Sequence, residues 1–284
     1  MKTHTFSIVV GTGACNFKCP YCVSKMTCRA TQNHQINWRR FDIACRVAEQ
    51  ARDGLVNAMF TGTGEPTLFK EDITKMLDWM NRRFPLVTLQ TNGSLLTPED
   101  LKQWANRGLT GVCISIAHMY AKTSNEIMCA GDKYKDFNFW EAAEMIHDAG
   151  LMVRLNCTML KEGIHTPEHV EELIRMCLEE GIEQLTLREV DRPGQLTTSE
   201  IFEYVDREKP VGAAEKLFHY LSMQGAHRLP DLPHGGVVFD YLDQNVCISN
   251  CLTDTLDPND IRQIIFFPTG EISYDWKYKG ARIL

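Results

Sequence analysis

Strand-like and helix-like patterns alternate along most of this 284-residue chain, and that alternation restricts it to a small set of folds. Short apolar runs at Phe6–Val10, Val56–Phe60, Leu86–Leu89, Gly111–Ala117, Leu151–Thr158 and Gln184–Glu189 read as strands. Between them, apolar residues at helical spacing run over Phe41–Arg52, Ile73–Phe84, Asn138–Ala149 and Pro167–Glu180. Thr97 as N-cap and Pro98 at the first helical position start another helix, which stops near Gly108. Strands alternating with helices build a parallel sheet, and right-handed crossovers curl it round. The expected fold is therefore α/β: a partial (β/α)6 TIM-like barrel over residues 1–190, followed by a C-terminal extension over 191–284 that covers the barrel mouth. In such barrels the chemistry sits at the C-terminal ends of the strands.

The extension departs from the alternation. DRPGQLTTSE reads as a loop, Val211–Met223 as a helix, and Leu229–Gly236 as a loop suited to a hinge or lid. IRQIIFFPTGEISYDW reads as a hairpin turning at PTG. Apolar residues make up 44% of the chain, enough for a sizeable core, yet the N-terminal apolar run is too short for a signal peptide or a membrane helix. A net charge of −7 argues against bulk nucleic-acid binding through a basic surface. Eleven cysteines without the spacing of a secreted scaffold point to the reducing cytoplasm.

Cys15, Cys19 and Cys22 stand together in CNFKCPYC, directly after the first strand. Three thiolates in one turn-rich loop can face a single metal centre, and soft sulfur selects iron–sulfur clusters, zinc or copper(I). A cubane cluster usually takes four cysteines, so three would leave one iron open to a ligand. Alternatively, Cys28 or His34 completes a closed four-ligand site. After the second strand comes Gly62-Thr63-Gly64-Glu65-Pro66. Its glycines let a ligand approach the backbone, and Pro66 biases Glu65 toward an extended conformation. Backbone carbonyls and a carboxylate there suit an ammonium group.

Together the two motifs resemble the radical S-adenosylmethionine (SAM) superfamily. CNFKCPYC is similar to its cluster motif, including the aromatic Tyr21 before the last cysteine, and TGTGEP is similar to its GGEP motif, with Thr63 in place of the first glycine of that pair. The resemblance continues in QTNGSLL at 90–96, SIA at 115–117, RLN at 154–156 and LREV at 187–190, and covers residues 5–190. It implies that Cys15, Cys19 and Cys22 hold a [4Fe–4S] cluster whose fourth iron is chelated by SAM. Gly62, Thr63, Gly64 and Glu65 would then hold the methionine end, the backbone of Tyr21 the adenine, Ser115 the ribose or carboxylate, and Asn156 the ribose. Asn92 is either a turn residue or a further SAM contact. The resemblance further implies an oxygen-sensitive enzyme that cleaves SAM to a 5′-deoxyadenosyl radical, fed by an electron donor such as flavodoxin or ferredoxin. Within the superfamily the motifs look most like the molybdenum-cofactor maturase, viperin and peptide-maturase branch. The favoured substrate is a small polar or anionic molecule, a class that includes nucleotide-like ones. A ribosomal peptide and a partner enzyme receiving a glycyl radical are the alternatives.

Other positions carry open readings. Arg154 and Arg188 would suit an anionic substrate if they face inward. Glu189 would bind substrate or pair with one of them, and His118 is a candidate proton donor or acceptor or a surface histidine. Cys247 and Cys251 read as ordinary thiols rather than part of a second cluster. The aromatics and cations of YDWKYKGARIL read as a protected edge strand, with a stacking and charged pocket wall as the alternative.

Overall fold

The outer face of nearly every central strand is apolar and the inner face polar, and this division organises the molecule. The computed structural model describes residues 3–27, 31–190, 198–232, 235–250 and 261–284, with all side chains in them except those of 52–54. Strands β1 (Thr3–Val9), β2 (Arg52–Thr61), β3 (Leu86–Thr91), β4 (Gly111–Ile116), β5 (Met152–Met159) and β6 (Gln184–Glu189) lie side by side in chain order, all parallel. Helices α1 (Trp38–Gln50), α2 (Lys70–Met80), α3 (Pro98–Asn106), α4 (Ala121–Ile127), α5 (Phe139–Asp148) and α6 (Pro167–Glu179) connect them. The fold is the α/β partial barrel that the alternation implies.

The chain then continues through α7 (Ser199–Glu208), α8 (Ala213–Met223), β7 (His227–Arg228), β8 (Val237–Tyr241), β9 (Gln244–Asn250), β10 (Gln263–Phe266) and β11 (Ile272–Ser273). Its strands join the same sheet, in the order β11-β10-β1-β2-β3-β4-β5-β6-β9-β8-β7. β9 pairs parallel with β6 and β10 pairs parallel with β1, so the extension lengthens the parallel run at both flanks. The β10–β11 pair is the hairpin that the PTG turn suggests.

Phe6, Ile8, Phe60, Leu89, Ile114, Leu155 and Leu187 point outward and are fully buried under the helices. Each such side chain contributes about 1.5–3 kcal/mol on burial. On alternate positions, Ser7, Thr61, Gln90, Ser115, Asn156 and Arg188 line an internal cavity. Strand periodicity of two is what places both sets on the same strands.

Caps set the helix boundaries. Thr97 Oγ1 accepts from Asp100 N, as the sequence predicts, and Thr166 Oγ1 accepts from His169 N. Asn37 Oδ1 accepts from Arg40 N and starts α1 three residues before Phe41. At its other end α1 stops at Gln50, because β2 already begins at Arg52, ahead of Gly54. α4 was not legible as a helix because two of its three buried residues, Ser124 and Asn125 beside Ile127, are polar. Ser124 Oγ accepts from Ala117 N at 3.0 Å, and Asn125 Nδ2 donates to Phe137 O at 2.7 Å. No described helix is long and apolar enough to cross a membrane.

Candidate active site

The loop after β1 carries the three cysteines, and three separate neighbours fix its path. From the β2 side, Glu65 N donates to Ala14 O at 2.8 Å. A Cβ on Gly64 would lie 2.1 Å from Ala14 O and 2.7 Å from the Gly13 carbonyl carbon. Gly64 is therefore glycine so that the cysteine loop's own backbone can dock on it. From the β3 side, Asn92 Nδ2 donates to Asn16 Oδ1, and Asn16 Nδ2 donates to Ser94 Oγ, both at 2.8 Å. From the segment after α4, Phe17 pairs with Ala130 as an antiparallel bridge, and Lys18 N donates to Cys129 O at 3.1 Å.

Glu65 is the hub of this arrangement. Its carboxylate is 4% exposed and accepts four hydrogen bonds. Thr67 N, Thr67 Oγ1 and Thr91 Oγ1 donate to Oε1 at 3.0, 2.6 and 2.6 Å, and Asn92 N donates to Oε2 at 2.9 Å. Such charge-assisted bonds are roughly twice as strong as neutral ones. The carboxylate thus ties the end of β2 to the end of β3. Asn92 makes the turn, its Oδ1 accepting from Ser94 N and Oγ, and it also lines the cavity.

Cys15, Cys19, Cys22, Tyr21, Gly62, Thr63, Gly64, Glu65, Asn92, Ser115 and Asn156 all line one cavity of about 290 Å³. The sequence motifs therefore converge on a single place at the C-terminal ends of the strands. Cys15 is exposed, while Cys19 and Cys22 are half-buried. Burial pushes the thiols of Cys15 and Cys19 up, and the neighbouring cysteine sulfurs push Cys19 further. A bound cation would reverse that balance. Among the described residues no three His, Cys, Asp or Glu side chains are gathered around a single-ion position. A polynuclear cluster makes no such demand, since each thiolate meets a different iron.

Among the described residues, Tyr21 OH, Thr63 Oγ1, and both Nδ2 and Oδ1 of Asn156 are buried in the cavity wall without a partner. Leaving such groups unsatisfied costs about 1–3 kcal/mol each. A ligand rich in donors and acceptors would satisfy them, and an amino acid joined to a ribonucleoside is one. Together with the sulfur donor set, these atoms fit the [4Fe–4S] cluster and SAM. Phe17, Tyr21, Ile116 and Met128 supply an apolar patch beside the cysteine loop.

Other candidates are placed differently. Arg188 faces inward and lines the cavity. Arg154 does not reach the lining; its Nε and Nη2 donate to Cys113 Sγ at 3.1 and 2.8 Å. The Cys113 sulfur raises the Arg154 pKa, and Cys247 adds to this. Glu189 points away from the barrel interior, where Oε1 accepts from Ala214 N at 2.8 Å and caps α8. A carboxylate at a helix N-terminus satisfies orphan amides there. His118 lies outside the cavity lining, accepting from Tyr120 N at 3.1 Å. His34 pairs with Asp72 at 3.3 Å rather than joining the cysteines. Cys28 and Cys251 lie outside the described residues, and Cys247 is a buried thiol on β9. In the C-terminal stretch, Trp276 lines the cavity, whereas Arg282 pairs with Glu271 at 3.3 Å. Glu65 as a brace was missed because a motif shows which residue is present but not what is folded against it.

The sequence profile of the radical SAM superfamily matches residues 9–177. The chain is 28% identical over 181 residues to GTP 3′,8-cyclase of Clostridium acetobutylicum, a match spanning 61% of this chain and 52% of that protein. Among solved structures, Streptococcus suis SuiB bound to S-adenosylmethionine aligns over 95% of this chain and 60% of that one, with 16% identity and a TM-score of 0.65. The anSMEcpe protein with bound AdoMet aligns over 98% and 76%, with 16% identity and a TM-score of 0.60. The chain thus spans about half the length of the curated relative it matches.

Proposed function

Because this chain belongs to the radical SAM superfamily, whose members use a [4Fe–4S] cluster and SAM, we propose that it abstracts a hydrogen atom from a small polar or anionic substrate held in the cavity described above. The observation that carries this reading is the cavity itself. It measures about 290 Å³, it has the cysteines, Glu65 and Asn156 in its wall, and it carries an inward guanidinium at Arg188.

Cys15, Cys19 and Cys22 would hold the cluster, and the backbone of Gly62–Gly64 together with Thr63 Oγ1 would meet the methionine end of SAM. Asn156 would use both ends of its amide on the ribose, and Ser115 stands next to it across the β4–β5 pairing. A cluster held there would supply one electron for reductive cleavage of SAM. The protein's part is to hold the reacting carbon and one substrate hydrogen together while excluding water. Glu65 acts as a positioning residue, keeping the loops after β2 and β3 in register under the cofactor. The extension from 191 onward would close the mouth, and a reduced electron carrier such as flavodoxin or ferredoxin would dock on the cytoplasmic enzyme.

The solved neighbours include SuiB with its precursor peptide SuiA, so a peptide substrate is the competing reading. The deciding experiment is anaerobic reconstitution with iron and sulfide, followed by SAM and dithionite, with 5′-deoxyadenosine measured by mass spectrometry. Cell extract is then split into fractions below and above about 1 kDa. Faster 5′-deoxyadenosine release with the small fraction supports the reading; acceleration by the peptide fraction alone overturns it.

A further inference from the structure

A second apolar cluster, separate from the main core, surrounds the cysteine loop. Phe17 and Tyr21 of that loop belong to it together with Leu160, just past β5, and Val205 of α7. Cys19 packs against it, as do Ile201 and Tyr204 of α7. Ile201, Tyr204, Val205 and Glu208 stand at positions i, i+3, i+4 and i+7, so they form one stripe of the helix. The rings of Tyr21 and Tyr204 stack, with centroids 6.4 Å apart and planes at 22°.

Polar contacts fasten the same helix to the loop after β5, the strand that carries Asn156. Glu208 is 8% exposed; its Oε2 accepts from Glu162 N at 3.1 Å and its Oε1 from Arg207 Nε at 2.7 Å. Lys161 N donates to Glu208 O at 2.9 Å, and Lys161 Nζ donates to Arg207 O at 2.6 Å. Tyr204 OH donates to the Glu162 carboxylate, and the Arg207 guanidinium lies 5.1 Å from the Tyr204 ring centroid. The Tyr204 ring is therefore held by its hydroxyl, by a cation and by Tyr21. Tyr21 stands between Cys19 and Cys22, so what fixes its ring also fixes the path between two of the three thiols. Groups that orient ligands from behind govern how well a metal is kept. Residues 199–208 lie outside the matched family region of 9–177, so this support comes from the chain's own extension.

We infer that α7 is a brace for the cysteine loop. Tyr204 is its positioning residue, holding Tyr21, and through it Cys19 and Cys22, against the exit of β5. This rests on the reading that the three cysteines hold the cluster, and it adds a part of the chain that no sequence motif marks.

The test uses the full chain in two forms. In the apoprotein, alkylation of Cys19 by iodoacetamide is followed by peptide mapping. In the reconstituted protein, iron per chain is followed against chelator concentration. Tyr204→Leu is expected to speed the alkylation and to lower the chelator midpoint, each by about 3- to 10-fold, the worth of one aromatic pair. Tyr204→Phe keeps the ring and drops the hydroxyl, and should stay close to wild type in both. Tyr220→Leu is the control for general loss of stability: Tyr220 lies on α8, where its hydroxyl donates to Glu171, and neither readout should move. Ile201→Ala, on the same stripe as Tyr204, carries the same expectation and takes over if Tyr204→Leu does not fold. Wild-type behaviour of the α7 variants overturns the inference. So does an equal shift in Tyr220→Leu, or a loss in Tyr204→Phe as large as in Tyr204→Leu. The reading beneath fails separately: Cys19→Ala that keeps all of its iron overturns the cysteines as cluster ligands, whatever the alkylation rates show.

Discussion

Replacing Gly64 by alanine should unseat the cysteine loop without unfolding the barrel. The added methyl would lie 2.1 Å from Ala14 O, with two backbone carbons at 2.7 Å, and no flexible side chain is there to move aside. Relief requires the cysteine loop to back off from the loop after β2, breaking the Glu65 N to Ala14 O bond of 2.8 Å. Overpacking costs about 1–3 kcal/mol and a lost buried hydrogen bond about 1 kcal/mol more. A seating penalty of about 2–4 kcal/mol corresponds to a 30- to 1,000-fold loss in cluster affinity, at about 1.4 kcal/mol per factor of ten. The assay is chelator competition on the reconstituted protein, read as iron per chain against chelator concentration, with far-UV circular dichroism as the fold control. Gly64→Ala should show native circular dichroism and a competition midpoint shifted by at least tenfold. A midpoint equal to wild type would refute the claim that backbone docking explains this glycine.

Glu65→Gln replaces an acceptor-only carboxylate with an amide whose NH2 must face one of four donors, so urea unfolding should show a loss of about 1.5–3 kcal/mol; an unchanged midpoint contradicts the bracing role. The thiols of Cys45 and Cys177 are pushed up to about 12 by burial, so iodoacetamide at neutral pH should spare them in the native protein and label both in urea, as peptide mapping would show. His118 titrates below its ordinary value through burial and the neighbouring His169, with Glu172 opposing. Its unfolded form therefore binds the proton more readily, and the stability from neutral His118 is complete above pH 6.5 and falls away below it. Urea midpoints taken from pH 7.5 to 5.5 should decline less steeply in His118→Asn than in wild type, and parallel declines would exclude the effect.

The barrel was legible in the sequence because its outward strand faces are apolar and its helices carry ordinary caps, both of which are local signals. Elements whose stability comes from polar contacts were not. α4 buries Ser124 and Asn125 in place of leucines, and α7 buries Glu208 along with Val205. β8 and β9 are joined at Leu242 and Asp243, both with positive φ, where no glycine advertises the turn. The cysteines, Gly62–Glu65, Ser115 and Asn156 were legible as candidates because they belong to contiguous motifs, and the fold gathers them around one cavity at one end of the sheet. Glu189 and Arg154 were ambiguous for the opposite reason. Facing direction depends on strand register, and adjacent residues of β6 point to opposite sides, which sends Arg188 inward and Glu189 to α8. Trp276 could be weighed only as an alternative, since nothing local in YDWKYKG shows that it returns to the first strand.

That return has a consequence for how the protein comes into being. Ser7 and Gln263, joined by a side-chain hydrogen bond, are separated by 256 positions, and β10 pairs with one edge of β1. Ribosomes deliver chains from the N-terminus at several residues per second. The helices and strands that seat the cysteine loop on Gly64, Asn92 and Ala130 are therefore all available well before residues 262–276 emerge. During that interval β1 has an open edge and the cavity lacks a wall. The protein gathers the elements that seat the cysteine loop first and completes the cavity wall at Gln263 and Trp276 last.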